Sequence, residues 1–255
     1  MHTVGPATAP HPDLARERPP LRTMAPMSPD PGFFRERLAL ARLMLIFTPE
    51  ACAGRDPLEV LGSIVQHVDV VQVRPKPLGT GGSASVTEAA EAYDWTRRVI
   101  EFVAPLGRAP LVMVDDRVDV ALALLKHGCA GVHLGQSDMP VLDARKLLGP
   151  DPLIGLSTHD LPQAAAASSL EIDYVGFGPI HASSTKGTTA GIGPEQAWAA
   201  TESSMVPVFA IGGIDTNNVG ELTRVGRIAV GGAILGAEDP ARAARQLRER
   251  LLASV

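Results

Sequence analysis

The chain contains little of several residue types that mark particular classes of protein. Its two cysteines, Cys52 and Cys129, form no CxxC or Cys/His pattern, which argues against a zinc site and favours a reducing, cytoplasmic setting. Two tryptophans, two tyrosines and six phenylalanines offer few rings for stacking on bases, and the net charge of -5 opposes binding to nucleic acid. No stretch approaches the roughly 18 uncharged apolar residues of a membrane helix. We therefore expect a protein that binds neither nucleic acid nor membranes.

The N-terminal segment also lacks the apolar run that a secretory signal needs. Prolines from Pro6 to Pro31 interrupt it repeatedly, and Asp13 and Glu17 lie among the arginines that an organelle transit peptide would require. We expect residues 1–31 to be a disordered, Pro-rich tail in front of a single domain of residues 32–255.

From Phe33 onward, short β-branched runs alternate with longer Ala- and Leu-rich stretches, as in repeated βα units. Eight such units predict a single (β/α)8 barrel of the α/β class. An open doubly wound sheet is the competing architecture, but the chain has no GxGxxG turn. A leading helix, Phe33–Leu40, would precede the first strand and could close the base of the barrel. The predicted strands are Leu43–Thr48, Val70–Arg74, Leu111–Val114, Gly131–Leu134, Leu153–Ser157, Tyr174–Gly178, Val208–Gly212 and Ile228–Gly231.

Several aspartates stand immediately before predicted helices. Asp56, Asp160 and Asp215 are best interpreted as N-caps, because a side-chain oxygen there accepts hydrogen bonds from helix amides. For Asp116, the cap and a metal ligand both remain open.

Polar residues cluster where the predicted strands end, and in a parallel barrel these ends meet at one face. Alternation within the second strand places Gln72, Arg74 and Lys76 on one side, where an amide, a guanidinium and an ammonium group could hold a phosphate. The alternative is a surface salt bridge, which would need no such alignment.

Two carboxylates follow the third and fourth strands. Asp116 and Asp138 are hard oxygen ligands at adjacent strand ends, and Mg²⁺ uses such ligands when substrate phosphates complete its coordination. We interpret them as a magnesium pair. His133, within the fourth strand, is better interpreted as a hydrogen-bonded core residue, and we assign Cys129 no role.

The later strand ends carry hydroxyls, one lysine and paired glycines. Ser157 has no carboxylate partner for a nucleophilic triad, so we predict a hydrogen-bond donor. The long polar loop after the sixth strand has the character of a lid, in which Lys186 is either an anion clamp or a solvated lysine. Gly212-Gly213 and Gly231-Gly232 predict backbone amides that bind a phosphate, although tight βα turns would use the same residues. Two anion sites follow, one metal-assisted and one made of backbone amides.

Seven motifs in this order resemble the thiamine phosphate synthase family, from about Leu43 to Leu251. They are Gln72-Val73-Arg74-Pro75-Lys76, Val114-Asp115-Asp116-Arg117, the stretch from Gly131 to Asp138, Gly155-Leu156-Ser157-Thr158-His159, the stretch from Tyr174 to Ile180, Ser183-Ser184-Thr185-Lys186, and the stretch from Ala210 to Ile214. The resemblance implies a Mg²⁺-dependent transferase that joins a pyrimidinylmethyl diphosphate to a thiazole phosphate and releases diphosphate. Both substrates are small phosphate compounds.

The resemblance also implies a role for each matching residue. The pyrimidine diphosphate would be bound by Gln72, Arg74, Lys76, Asp115, Ser157 and Lys186, of which Arg74, Lys76, Ser157 and Lys186 would take part in catalysis. Asp116 and Asp138 would hold Mg²⁺. The thiazole phosphate would be bound by Ser183, Ser184, Thr185, Gly212, Gly213, Gly231 and Gly232. At Asp115 this chain departs from the family, which usually has asparagine there.

Two other functions stay open. A thiazole tautomerase of the same barrel family would need no metal, and the presence of both Asp116 and Asp138 argues against it. A non-catalytic sensor would bind the thiazole phosphate without turnover. The sequence is compatible with a homo-oligomer.

Overall fold

The computed structural model describes residues 32–75, 86–182 and 191–253. Within these ranges eight parallel strands pair in chain order, and β8 pairs with β1 to close the barrel. This confirms the predicted (β/α)8 architecture, and the strand ends differ from the predicted ones by at most two residues. The strands are β1 (Leu43–Phe47), β2 (Val70–Val73), β3 (Leu111–Asp115), β4 (Cys129–Leu134), β5 (Leu153–Thr158), β6 (Tyr174–Phe177), β7 (Val208–Ile211) and β8 (Ile228–Val230).

Successive side chains of each strand face opposite sides of the barrel wall, as the two-residue period of a strand requires. One set, including Leu45, Val71 and Val114, belongs to the layer between the strands and the surrounding helices. The alternate set, including Met44, Met113 and Phe209, forms a separate apolar cluster inside the barrel. Both faces of the strands are therefore buried, which explains why their sequences are almost continuously apolar.

The helices lie outside the barrel, and several begin where a carboxylate meets unpaired amides. The side chains of Asp56, Asp160 and Asp239 each accept hydrogen bonds from the first turn of the helix that follows, and each is followed within two residues by proline. None of the helices within the described ranges is long and apolar enough to cross a membrane. The helices are α1 (Phe33–Leu40), α2 (Pro57–Ile64), α3 (Val86–Val103), α4 (Val118–Leu124), α5 (Val141–Leu148), α6 (Leu161–Ala167), α7 (Pro194–Ser203), α8 (Gly232–Leu235) and α9 (Pro240–Leu252).

Two of the expected helix starts differ from the structure. The residue that precedes α4 is Arg117, whose side chain makes no capping bond, so Asp116 lies one residue too early to be the N-cap. After Asp215 the chain forms a short 3₁₀ helix that begins at Val219, with Asn218 as the preceding residue. Asp215 instead stabilises the turn, because its carboxylate accepts from the amides of residues 217 and 218.

The first helix closes the base of the barrel, as the sequence predicts. Leu38 is only 2% exposed and belongs to the cluster inside the barrel, and Phe34 packs against the same cluster. Arg35 extends from the helix to Asp173, which precedes β6. The base is thus sealed by an apolar plug and an ion pair, and the open end is the one at which the strands finish.

Candidate active site

The interior of the barrel changes from apolar to polar toward the carboxyl ends of β2 to β5. The inward positions there are Gln72, Asp115, His133 and Ser157, of which the first three are buried and Ser157 is half-buried. Asp115 and His133 are paired residues in the β3–β4 register. Barrel proteins bind their ligands at this end, so this polar layer is the candidate site.

Asp115 joins two of the predicted phosphate-binding residues. One of its oxygens, Oδ1, accepts a hydrogen bond of 2.6 Å from Nε2 of Gln72, and Oδ2 lies 3.0 Å from Nε of Arg74. The Asp115 side chain is 7% exposed, so this is a largely desolvated ion pair. Gln72 and Arg74 therefore share the Asp115 carboxylate as acceptor. The Arg74–Asp115 ion pair explains in part why the two side chains point to the same side of the strand.

The backbone at Asp116 is in an unusual conformation. Its φ of 60° lies in the left-handed region, which residues other than glycine adopt at a cost. The Asp116 amide donates to the carbonyl of His133 at 2.7 Å, which ties the end of β3 to β4. Such strain is found most often at functional sites.

Asp138 stabilises the turn after β4. Its Oδ2 accepts a 2.6 Å hydrogen bond from the amide of Gly135. A Cβ atom at position 135 would lie 2.9 Å from that oxygen, so glycine lets the carboxylate approach the backbone. Asp138 is therefore held by its own loop.

The carboxylates of Asp116 and Asp138 suit a magnesium ion whose other ligands come from a substrate phosphate and water. Within the described ranges, no group of three or more His, Cys, Asp or Glu side chains could hold a metal ion. Mg²⁺, however, usually binds through one or two carboxylates and completes its octahedron with phosphate oxygens and water. The two carboxylates thus suit a magnesium ion that arrives with a phosphate substrate, and they do not form an all-protein metal cage.

Ser157 is the end of a chain of three hydrogen-bonded side chains. His133 Nε2 lies 2.8 Å from Ser157 Oγ, and His133 Nδ1 lies 2.9 Å from the hydroxyl of Tyr174. Gln136 adds a bond to the backbone carbonyl of Ser157. The hydrogen-bonded core interpretation of His133 agrees with this geometry. Tyr174 and Gln136 were not among the predicted site residues, although inward alternation along β6 indicates where the tyrosine ring points.

The glycines after β7 are required by the local backbone conformation and by close contact with the segment after β6. Gly212 and Gly213 have φ values of 99° and 63°, and a Cβ at Gly213 would lie 2.5 Å from the carbonyl oxygen of Ala182. The segment after β6 approaches so closely because the amides of Ile180 and His181 donate to the carbonyls of residues 211 and 212. Close backbone packing thus explains this glycine pair without a ligand, and phosphate binding there stays a prediction.

The second glycine pair lies where β8 passes into α8. A Cβ at Gly231 would lie 3.1 Å from the carbonyl oxygen of Ile46, and Gly232 is the first residue of α8. The early amides of a helix have no partner within the helix. This pair therefore offers exposed backbone with little side-chain bulk at the mouth of the barrel, the open end at which the strands finish.

Five of the predicted site residues lie outside the described ranges. They are Lys76, Ser183, Ser184, Thr185 and Lys186. The two sides of the loop that carries the last four are joined at its base, since the amides of residues 192 and 193 donate to the carbonyls of Pro179 and Ile180. This loop therefore leaves and re-enters the fold beside β7.

The surroundings of Cys129 give its thiol no chemical role. The side chain is fully buried, and burial raises the pKa of its thiol to about 12. The thiol remains protonated and unreactive at neutral pH, as expected for a small core residue.

The fold and the polar mouth define a (β/α)8-barrel protein whose functional residues stand at the carboxyl ends of the strands. Comparison with known proteins identifies its family. A family model described as thiamine monophosphate synthase matches residues 43–234. The chain is 40% identical to a thiamine-phosphate synthase of Gloeobacter violaceus over 86% of this chain and 60% of that protein. It is also 40% identical to the thiamine-phosphate synthase of Albidiferax ferrireducens, over 84% of this chain and 93% of that protein.

A solved structure agrees with the sequence comparisons. Thiamine phosphate pyrophosphorylase from Pyrococcus furiosus superposes with a TM-score of 0.68 at 28% identity, over 85% of this chain and 96% of that one. The chain belongs to the thiamine monophosphate synthase family, and it is an enzyme of the transferase class.

Proposed function

We propose that this enzyme joins 4-amino-2-methyl-5-pyrimidinylmethyl diphosphate to thiazole phosphate, giving thiamine phosphate and diphosphate in a reaction that needs Mg²⁺. The observation that carries the proposal is the cluster of Gln72, Asp115 and Arg74 beside the loops of Asp116 and Asp138, in a chain of this family. It places cationic, amide and carboxylate groups together at the barrel mouth, which is the set that a magnesium diphosphate requires.

The diphosphate half of the site is formed by β2, β3 and β4. Asp115 takes the Nε edge of the Arg74 guanidinium and so orients the whole planar group. We assign the Nη groups of Arg74, together with Lys76, to the phosphate oxygens. Mg²⁺ held by Asp116, Asp138 and the diphosphate would neutralise the charge on those oxygens.

The chemistry needs no protein nucleophile. In the proposed reaction the bond between the pyrimidinylmethyl carbon and the diphosphate oxygen breaks first, and the thiazole nitrogen then forms a bond to that carbon. Arg74, Lys76 and Lys186 stabilise the charge that builds up on the departing diphosphate. Ser157 orients the pyrimidine, so that the acceptor meets the carbon in line.

The thiazole half is formed by the later strands. We assign the thiazole phosphate to the backbone of Gly212, Gly213, Gly231 and Gly232 and to Ser183, Ser184 and Thr185 of the loop after β6. Lys186 would extend from the same loop to the leaving diphosphate. We also propose that the catalytic unit is the barrel of residues 32–255, that residues 1–31 are dispensable for it, and that the enzyme acts in the cytoplasm.

The test is a turnover assay that follows diphosphate release and thiamine phosphate formation with each substrate alone and with both. We expect product only when both substrates and Mg²⁺ are present, and complete loss with a chelator. Asp138→Ala should lower kcat roughly 100-fold or more, because it removes a metal ligand. The matched control is Asp143→Ala, an exposed carboxylate on α5 whose ion pair with Lys146 lies on the surface.

The other outcomes separate the alternatives. Product formation that is unaffected by the chelator or by Asp138→Ala would overturn the metal-dependent synthase. Conversion of thiazole phosphate alone, without metal, would indicate a tautomerase. Calorimetric binding of thiazole phosphate with no turnover under any condition would indicate a sensor.

A further inference from the structure

Three hydrogen-bonded side chains, two of them buried, form a line inside the barrel. Tyr174 begins β6 and is fully buried, and His133, the middle member, lies near the end of β4 with 6% of its surface exposed. Ser157 is half-buried and lies on β5, the strand between β4 and β6. Their polar atoms are 2.9 Å and 2.8 Å apart. The line runs from the packed interior toward the mouth, where Ser157 is the last member.

The barrel leaves space for these rings at two glycines. A Cβ at Gly155, on the intervening strand β5, would lie 2.1 Å from Cζ of Tyr174. A Cβ at Gly176 would lie 3.2 Å from Cε1 of His133. Because β4 and β6 are not paired strands, the tyrosine meets the histidine only by crossing over the bare backbone of β5. Phe209 packs edge-on against the other side of the tyrosine ring, with centroids 5.5 Å apart.

The hydroxyl of Tyr174 determines the direction of the hydrogen bonds. Burial, and to a lesser extent the charges of Asp115 and Asp173, raise the pKa of Tyr174 well above its usual value, so the hydroxyl keeps its proton. Among the described residues its hydrogen-bond partner is His133 Nδ1. A buried hydroxyl hydrogen without an acceptor is costly, so the Tyr174 hydroxyl donates and Nδ1 accepts.

The acceptor role of His133 Nδ1 determines which ring nitrogen carries the hydrogen. A neutral imidazole carries one hydrogen, and when Nδ1 accepts, that hydrogen is on Nε2. Nε2 therefore donates to Ser157 Oγ, and the hydrogen of the Ser157 hydroxyl is left for a different acceptor. With the opposite tautomer, Nε2 would carry no hydrogen and the Ser157 hydroxyl would donate to it. Ser157 could then act toward a ligand only as a hydrogen-bond acceptor.

We propose that Tyr174 and His133 are positioning residues that fix the Ser157 hydroxyl as a hydrogen-bond donor toward the barrel mouth, where it recognises a lone-pair acceptor such as a ring nitrogen of a heteroaromatic substrate. We call the hydrogen-bonded chain from Tyr174 through His133 to Ser157 the relay. Its direction of hydrogen-bond donation is a property of the folded chain, whereas recognition of the pyrimidine by Ser157 rests on the proposed function. The acceptor would be held in one orientation, because the donor hydrogen has no competing partner inside the relay.

The tautomer can be measured without any substrate. The full-length protein is labelled with ¹⁵N-histidine, and two-dimensional ¹H–¹⁵N correlation spectra are recorded at about pH 8, where a free imidazole is neutral. The His133 signals are those that disappear in His133→Gln. His159 is an internal reference of opposite sense, since its Nδ1 lies 2.7 Å from the carbonyl oxygen of Gly178, which can only accept. We expect His133 to be protonated on Nε2 and His159 on Nδ1.

Two results of this experiment would overturn the relay. One is a His133 ring protonated on Nδ1 in the unaltered protein. The other is a ¹⁵N chemical shift of His133 Nδ1 that is unchanged in Tyr174→Phe, because loss of the hydrogen bond from the tyrosine should move the resonance of the accepting nitrogen. Neither result depends on turnover, so a failure of the proposed function would leave this part of the test intact.

Kinetics test whether the fixed donor is used. Tyr174→Phe should lower kcat/KM for the pyrimidine diphosphate roughly tenfold, the value of one well-placed hydrogen bond, and leave KM for thiazole phosphate unchanged. Ser157→Ala should lower kcat/KM at least as much, and the double variant should be no worse than Ser157→Ala alone. Tyr93→Phe, at the other tyrosine of the chain, is the control and should be unaffected. Additive losses in the double variant, or a lower melting temperature with unchanged kinetics, would show that Tyr174 does not act through Ser157.

Discussion

The two ends of the barrel both contain buried carboxylates, and they use them differently. At the base, Asp69 and Asp173 each precede a strand, and each accepts hydrogen bonds from two arginine side chains and from backbone N–H at the start of a neighbouring strand, two amides for Asp69 and one for Asp173. At the mouth, Asp115 ends β3 and accepts from the side chains of Gln72 and Arg74. All three are paired with guanidinium groups, so pairing alone does not distinguish them.

The difference lies in what each carboxylate holds in place. At the base, Asp173 connects α1 and α5 to the start of β5, so it joins backbone segments that form the core. At the mouth, Asp115 orients two side chains that a diphosphate would meet. A buried carboxylate at the amino end of a barrel strand therefore indicates stability, and one at the carboxyl end indicates function.

The largest expected effect is at the base. Asp173→Ala removes the carboxylate that Arg35, Arg145 and the Ile154 amide share, which leaves the guanidinium groups with backbone carbonyls as their only acceptors among the described residues, and breaking such a buried pair costs about 3 kcal/mol. Thermal unfolding should show a melting temperature lower by roughly 8 °C, with unchanged kcat for the molecules that remain folded. The exposed neighbour Glu171→Ala is the control and should change little. An unaltered melting temperature would mean that the base ion pairs contribute no net stability.

A smaller effect is expected at Asp115→Asn, which introduces the residue that the resemblance to the family implies at this position. Asparagine has one acceptor oxygen, so Gln72 must turn its amide to accept while Arg74 keeps its bond. Removing one negative charge beside the proposed diphosphate position should favour binding by about 1.4 kcal/mol, or a roughly tenfold lower KM. Initial-rate kinetics measure this, with Asp119→Asn in the first turn of α4 as the control, where the carboxylate pairs with Arg117. A large loss of stability with unchanged KM would place Asp115 with the structural carboxylates of the base.

The smallest expected effect concerns a mouth carboxylate that caps a helix. Asp160 lies three residues after Ser157, and its Oδ1 accepts from the amide of Gln163 at 2.7 Å. Asp160→Ala should cost about 1 kcal/mol of stability, as for a lost N-cap, and leave kcat unchanged. Asp160→Asn, which retains the capping oxygen, should keep the stability in denaturant unfolding. If Asp160→Ala reduced turnover while Asp160→Asn did not, the capping interpretation would be incomplete.

The architecture could be predicted because it depends on local periodicity. Apolar strands covered on both faces, helices that begin at Asp56 and Asp160, and the leading helix from Phe33 are all visible in the order of residues, and the structure confirms them. Asp116 was harder, because its position before α4 suits a cap equally well. Only the backbone turn, with a φ of 60°, places it one residue before the helix start.

The candidate site could be predicted only in part. Gln72 and Arg74 were recognisable from alternation, yet their common partner Asp115 comes from another strand, 43 positions after Gln72. The glycines at 212 and 213 look like a phosphate loop in sequence, but the approach of the segment after β6 explains them physically. Contacts between distant parts of a chain leave no periodic signal, so their partners cannot be assigned from spacing.

The sequence by itself determined that eight βα units would form and that polar residues would stand at the strand ends, because secondary-structure period and strand direction are local properties. Only the tertiary structure decided which of those residues meet. Closure of the barrel brings Tyr174 over Gly155 to His133, and Gln72 to Asp115, since each pair lies on strands whose register is set by the whole ring. That register fixes which hydrogen each polar group offers to a ligand at the mouth.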